Sequence, residues 1–192
     1  IETERYETYA DLESYMRGSA ASVGVMMTAI MEPDDEATAL PHAIKLGEAF
    51  QMTNFLRDVR EDILERNRIY LPQETLREHG VDPVQIERLE FDDTFAAAMA
   101  AEVQRTEDLY REGVAGIRYL PEESQFGVLL GLLAVEFGHV GDVRAGDERG
   151  EQTVCEVAVL IQRHRASKVS CSGIIGTRRS RRRPRGGRCR PR

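Results

Sequence analysis

The apolar and polar positions along the chain follow one period from end to end of its readable part. Tyr9, Leu12, Tyr15 and Met16 recur at steps of three and four, and Val23, Met26, Met27 and Ile30 continue the stripe, as on one face of an amphipathic helix. Glu32-Pro33-Asp34-Asp35 stops it. Asp34, Asp35 and Glu36 are adjacent rather than four apart, so they suit a loop and a helix N-terminus better than a metal site. Pro41 fits the first turn of the next helix, which should run to about Asn67 before Tyr70-Leu71-Pro72 breaks it. Gly80 and Asp82-Pro83 punctuate two short helical turns, with His79 beside a C-cap glycine and without a second ligand. Asp92 and Asp93 can cap an alanine-rich helix from Thr94 to about Tyr119. Pro121 ends that segment, and Ser124 or a neighbouring Glu opens another helix. No alternating strand pattern of useful length occurs, which makes the chain all-α.

The second long helix carries the chemistry. Asn54, Asp58 and Asp62 stand four apart, so on a helix they drift only about 40° per step and form one stripe about 12 Å long. Gln51 extends the same face by a turn. Met52, Phe55, Leu56, Val59 and Ile63 fall on the other side, which gives the helix an apolar back. A charged helix face is usually just solvated. Here, however, Arg57, Arg60, Arg66 and Arg68 share the same few turns. Mg²⁺ takes a few carboxylate or amide oxygens and leaves its other positions to water and phosphate, while arginines bind phosphate oxygens. The combination points to a metal-bridged diphosphate site.

Gln51-x-x-Asn54-x-x-Arg57-Asp58-x-x-Glu61-Asp62, followed by Arg66-x-Arg68-Ile69-Tyr70-Leu71-Pro72, resembles the second aspartate-rich motif of the squalene/phytoene synthases. Tyr15 to Met27 is similar to that family's tyrosine-led segment, with Ser19-Ala20-Ala21 where the family has Val-Ala-Gly and Arg66-Asn67-Arg68 where it has Arg-Gly-Arg. The resemblance covers about residues 1 to 133, a synthase domain. It is followed by a divergent helical segment, 134–162, and a basic tail, 163–192. It implies an isoprenoid synthase fold, a helical bundle around an apolar cavity, and a Mg²⁺-dependent prenyltransferase, with Mn²⁺ as a substitute metal. By the same resemblance, Asn54, Asp58 and Asp62 would hold the metal and Arg57, Arg66 and Arg68 the diphosphate oxygens, while Gln51 and Tyr15 orient the site. The phrasing from Phe50 to Asp58 is closer to phytoene synthases, which implies condensation of two geranylgeranyl diphosphates to phytoene without NADPH. Squalene or dehydrosqualene synthesis from farnesyl diphosphate is the alternative within the family. A non-catalytic, synthase-like binding protein is the alternative outside it, although such a protein would be expected to lose its metal ligands.

Composition changes this picture in two places. Residues 1–162 hold 14 basic against 33 acidic side chains, a net charge of -19, with Lys45 the only lysine. Such an acidic body suits a halophilic, haloarchaeal-type protein, because salt screens its self-repulsion. From Arg163 onward there are 12 basic residues and no acids. This Arg/Gly/Pro-rich stretch reads as disordered and as the product of a shifted reading frame, rather than as a nucleic-acid arm. Cys155, Cys171 and Cys189 form no CxxC pair, and Gly173-Ile174-Ile175-Gly176 is too weak for a nucleotide loop. His139 is read as incidental. No apolar run is long enough to span a bilayer, so the expectation is a cytoplasmic protein with at most peripheral membrane contact. Only one intact Asp-x-x-x-Asp occurs and residue 1 falls in mid-helix, from which a fragment lacking the opposing aspartate motif, inactive by itself, is expected.

Overall fold

A computed structural model describes residues 4–90 and 92–142, with side chains through Leu133. The tail, the three cysteines, the Gly173–Gly176 stretch and the side chain of His139 lie outside the described residues. The elements are α1 (Tyr9–Met16), a π-helical segment (Arg17–Ala21), α2 (Ser22–Met31), α3 (Glu36–Arg57), α4 (Val59–Arg66), α5 (Gln73–Glu78), α6 (Pro83–Glu87), α7 (Asp93–Val114), a 3₁₀ turn (Ile117–Tyr119) and α8 (Glu122–Asp142). The only β pairing among the described residues is an isolated parallel bridge, Arg5 to Ile69. The structure is all-α.

The ends of these helices follow the capping residues. Thr8 accepts from Asp11 N while Asp11 reaches back to Thr8, a capping box for α1. Asp35 caps α3 through Thr38 N, and Asp92 caps α7 through the N–H groups of Thr94 and Phe95. Gly80 has φ +71 just past the His79 cap of α5, a left-handed conformation that glycine adopts without strain. Pro41 lies inside α3 rather than in its first turn, because the helix opens earlier, at Glu36. The N–H it lacks frees a carbonyl only near an exposed helix end, where water can satisfy it.

Helix α3 is the axis, packed along α7 on one side and against the π segment and α2 on the other. One core joins Leu12, Met16, Leu46, Met52, Phe55 and Leu109. A second joins Leu56, Val59, Leu76, Ile86, Phe95 and Met99 beneath α5–α7. Gly24 and Gly47 let the backbones meet: a Cβ on either would come within 3.0 Å of a carbonyl oxygen across the contact, that of Ala43 or of Ala20. The stripe on α1 is core as its spacing predicts, with Leu12 and Met16 both 0% exposed, but its continuation is not. Val23, Met26, Met27 and Ile30 are 41–72% exposed. α3 covers only the Gly24/Thr28 side of α2, so the apolar ridge faces away from the core.

Candidate diphosphate and metal site

The aspartate helix is not one helix. It breaks at Asp58 (φ -97, ψ 15), which ends α3 and opens α4. Backbone bonds cross the break, Asp58 N to Asn54 O at 2.9 Å and Asp62 N to Asp58 O at 2.8 Å. The four-residue stripe therefore survives while the axis is interrupted in its middle. Asp58 occupies the N-cap position of α4, but its carboxylate caps nothing. Arg57 holds it instead, with Nε on Oδ1 at 2.5 Å and Nη2 on Oδ2 at 2.6 Å.

Asp62 lies in the first turn of α4 with its side chain 8% exposed, and Arg66 Nη1 donates to Oδ1 at 2.6 Å. Burial pushes its carboxyl above the usual range; Arg66 opposes this, and the charges of Asp58 and Glu61 add to it. The dominant effect is thus the desolvation of a carboxylate that has Arg66 on one oxygen and two further acids nearby. Asn67, in the left-handed region at φ 51, closes α4, and Arg68 N returns to Asp62 O at 3.0 Å. This turns the chain so that Arg68 and Tyr70 lie beside the helix break.

There the structure forms an aromatic box. Tyr70 stacks on Phe55 with centroids 4.0 Å apart and rings 9° from parallel, and Tyr15 lies 5.9 Å from Tyr70 and 6.4 Å from Phe55. Arg68 Nη1 donates to the Tyr70 hydroxyl at 3.3 Å. The Tyr15 phenol is pushed up first by burial and then by a hydrogen bond with Tyr70, Arg68 pulls it down, and the charge of Asp62 reaches it. The π-helical segment directly after α1 accompanies this placement, as π-bulges often do at functional sites.

The structure therefore brings Asp58, Asp62, Arg57, Arg66, Arg68 and Tyr15 to one end of the α3–α4 axis. Gln51 and Asn54, half-buried, stand two turns and one turn back along α3, respectively. The arginines differ from expectation in their partners: Arg57 and Arg66 lie on the aspartates themselves. Among the described residues no group of three His, Cys, Asp or Glu side chains is gathered as a metal cage. Two carboxylates, one of them buried, and an amide oxygen nevertheless suit an ion that keeps most of its shell for water and phosphate.

Sequence reasoning missed Tyr6, Phe55 and Tyr70 as parts of the site. Arg68-x-Tyr70 carried a weak signal, since residues two apart share a face of extended chain. Tyr6 carried none, because it arrives through the pairing of residues 4–7 with 69–74.

The squalene/phytoene synthase family model matches residues 1–148. A phytoene synthase of Thermus thermophilus is 44% identical over 116 residues, covering 60% of this chain and 39% of that protein. A chloroplastic phytoene synthase of Daucus carota is 35% identical over 138 residues, covering 69% of this chain and 34% of that protein. The chain thus spans about two fifths or less of the length of these relatives. Among solved structures, squalene synthase HpnC from Alicyclobacillus acidocaldarius superposes with a TM-score of 0.64 at 25% identity, over 83% of this chain and 54% of that one. A dehydrosqualene synthase gives the same TM-score and identity over 86% and 60%.

Proposed function

The chain belongs to the squalene/phytoene synthase family, and on that premise we propose that it carries one wall of a phytoene synthase active site. The observation that carries this reading is the convergence of the Asn54/Asp58/Asp62 stripe with Tyr15, Tyr70 and three arginines at the α3–α4 break. The phytoene synthases among its relatives favour two geranylgeranyl diphosphates as substrates and phytoene, reached through a cyclopropyl diphosphate, as product.

Asn54, Asp58 and Asp62 would hold a magnesium ion, whose chemistry when bound is to neutralise charge developing on a departing diphosphate. Each aspartate is presented pre-oriented by an arginine, Arg57 or Arg66. An aspartate that turned to a cation would free its arginine for phosphate oxygens, so the same guanidinium would serve both states. Arg68 and the Tyr15/Tyr70 hydroxyl pair add donors near the carboxylates. Phe55 and the rings of the box give apolar walls that keep water from the carbocation left behind. No described helix is long and apolar enough to cross a membrane; a cytoplasmic enzyme that meets its lipid-like substrates by peripheral membrane contact accords with this reading.

The test is product analysis of the protein as its source makes it, given geranylgeranyl or farnesyl diphosphate with Mg²⁺, with and without NADPH. Phytoene from the C20 substrate without NADPH is expected. Squalene or dehydrosqualene from farnesyl diphosphate would move the assignment to the other branch of the family. No turnover of either substrate, with the aspartates intact, would favour a binding role.

A further inference from the structure

We propose that Tyr6 is a positioning residue of the diphosphate site, its ring and hydroxyl holding Tyr15, Tyr70 and Arg68 in the arrangement that receives an oxyanion. The inference rests on the site reading above, but its evidence is separate.

Residues 4–7 form an extended strap zipped alongside residues 67–74. Ile69 N donates to Glu4 O at 3.1 Å, Gln73 N to Tyr6 O at 2.9 Å and Glu74 N to Glu7 O at 3.0 Å. Arg5 Nη1 donates to Asn67 O at 2.7 Å, and Asn67 Nδ2 to Glu4 Oε2 at 3.1 Å. The strap thus grips the segment that presents Arg68 and Tyr70. Tyr6 turns inward from its centre, 3% exposed, with its ring 5.5 Å from Tyr15 and 5.8 Å from Tyr70, nearly parallel to the latter at 18°.

Phenylalanine would make the same ring contacts. The hydroxyl needs its own explanation, because it is buried and has no hydrogen-bond partner, a state that native structures rarely leave unexplained. Its electrostatic neighbours are Tyr15, Tyr70 and Arg68. Burial first, then the two tyrosines, push its pKa up to about 12 against Arg68, so it stays a neutral donor throughout the physiological range. Tyr15 and Tyr70 already pair with each other, and Tyr70 accepts from Arg68. An oxyanion drawn to Arg68 would pull on that pair, and a third hydroxyl beside it gives the pair a donor to close on.

Tyr9 supplies the control. Its hydroxyl is also buried and unpartnered, but its electrostatic neighbours are Glu48, Lys45, Glu13 and Arg105, and none belongs to the diphosphate site. Tyr6→Phe and Tyr9→Phe would be compared with wild type in two measurements. The first is calorimetric binding of pyrophosphate with Mg²⁺, in which Tyr6→Phe should weaken affinity about five- to tenfold, the scale of one hydrogen bond, and Tyr9→Phe less than about twofold. The second uses no ligand. In 3-fluorotyrosine-labelled protein, the ¹⁹F resonances of Tyr15 and Tyr70, assigned from Tyr15→Phe and Tyr70→Phe, should move in Tyr6→Phe and stay in Tyr9→Phe. Unmoved resonances, an unchanged affinity in Tyr6→Phe, or equal losses in both variants would overturn the proposal. If wild type itself fails to bind pyrophosphate, the diphosphate reading falls, and the resonances alone decide whether Tyr6 positions its neighbours.

Discussion

At Asp62 two opposing effects meet in one side chain. Burial and the nearby Asp58 and Glu61 favour its neutral form, and Arg66 favours its charged form. A site balanced in this way responds strongly to an added cation, so Asp58→Ala or Asp62→Ala should lower turnover at least about 100-fold, the scale for losing a preorganised electrostatic group. Steady-state kinetics on either variant checks this, and near-normal turnover would contradict the metal assignment. Other buried polar residues serve structure instead. Glu102, 0% exposed, accepts from Thr75 Oγ1 at 2.6 Å and Arg105 Nε at 3.1 Å. Glu102→Leu strands the buried Thr75 hydroxyl and should cost about 1–3 kcal/mol in denaturant unfolding, with Glu102→Gln losing less. Lys45, pinned by Glu13 at 3.1 Å and Glu48 at 2.8 Å, is the lone lysine of the acidic body and neutralises a carboxylate that is 2% exposed.

Two features of the elements give predictions, the contact of the π segment with α3 and the cap of α7. Gly47→Ala would press a methyl group into the Ala20 carbonyl and push the π segment off α3. About 1–3 kcal/mol of destabilisation is expected from such overpacking, together with a displaced Tyr15. Thermal melts and pyrophosphate affinity should fall together; a fall in melting temperature with intact affinity would separate the contact from the site. The α7 cap gives a pH prediction. Thr94, Phe95 N–H and Gln85 hold the Asp92 carboxyl down at about 2, below its ordinary 3.8. A depressed acid contributes stability that is complete above its unfolded pKa and is lost as pH falls through the folded one. The melting-temperature gap between wild type and Asp92→Ala should therefore be full at neutral pH and close between about pH 4 and pH 2.

For the whole molecule, charge and exposed apolar surface set the behaviour. A net charge of -19 over residues 1–162 opposes compaction wherever it is unscreened. The melting temperature should rise from low to molar KCl, and a flat or falling trend would show that the acidic surface is no salt adaptation. The ridge of Val23, Met26, Met27 and Ile30 lies open along α2, and Phe126, Leu130 and Leu133 are exposed on α8. On α2 the periodicity marks one helix face, and the structure leaves that face uncovered.

Local information was enough to determine the helical class, the capping residues and the aspartate stripe, because each depends on residues within one or two turns of each other. Asp35, Gly80 and Asp92 act as their neighbours dictate, and the spacing of Asn54, Asp58 and Asp62 persists even across a break in the helix. The break itself was not legible. It falls where α3 passes from one core cluster to the other and the chain must turn to bring Arg68 and Tyr70 back beside it. The partners of Arg57 and Arg66 are local, one and four positions away along the chain, whereas the aromatic box and the place of Tyr6 were decided only in three dimensions. They depend on contacts between residues more than sixty positions apart, Arg5 with Asn67 and Glu4 with Ile69, and periodicity carries no information at that separation. Which face of α2 is buried was settled in the same way, because periodicity identifies an apolar stripe but cannot say whether another helix lies against it.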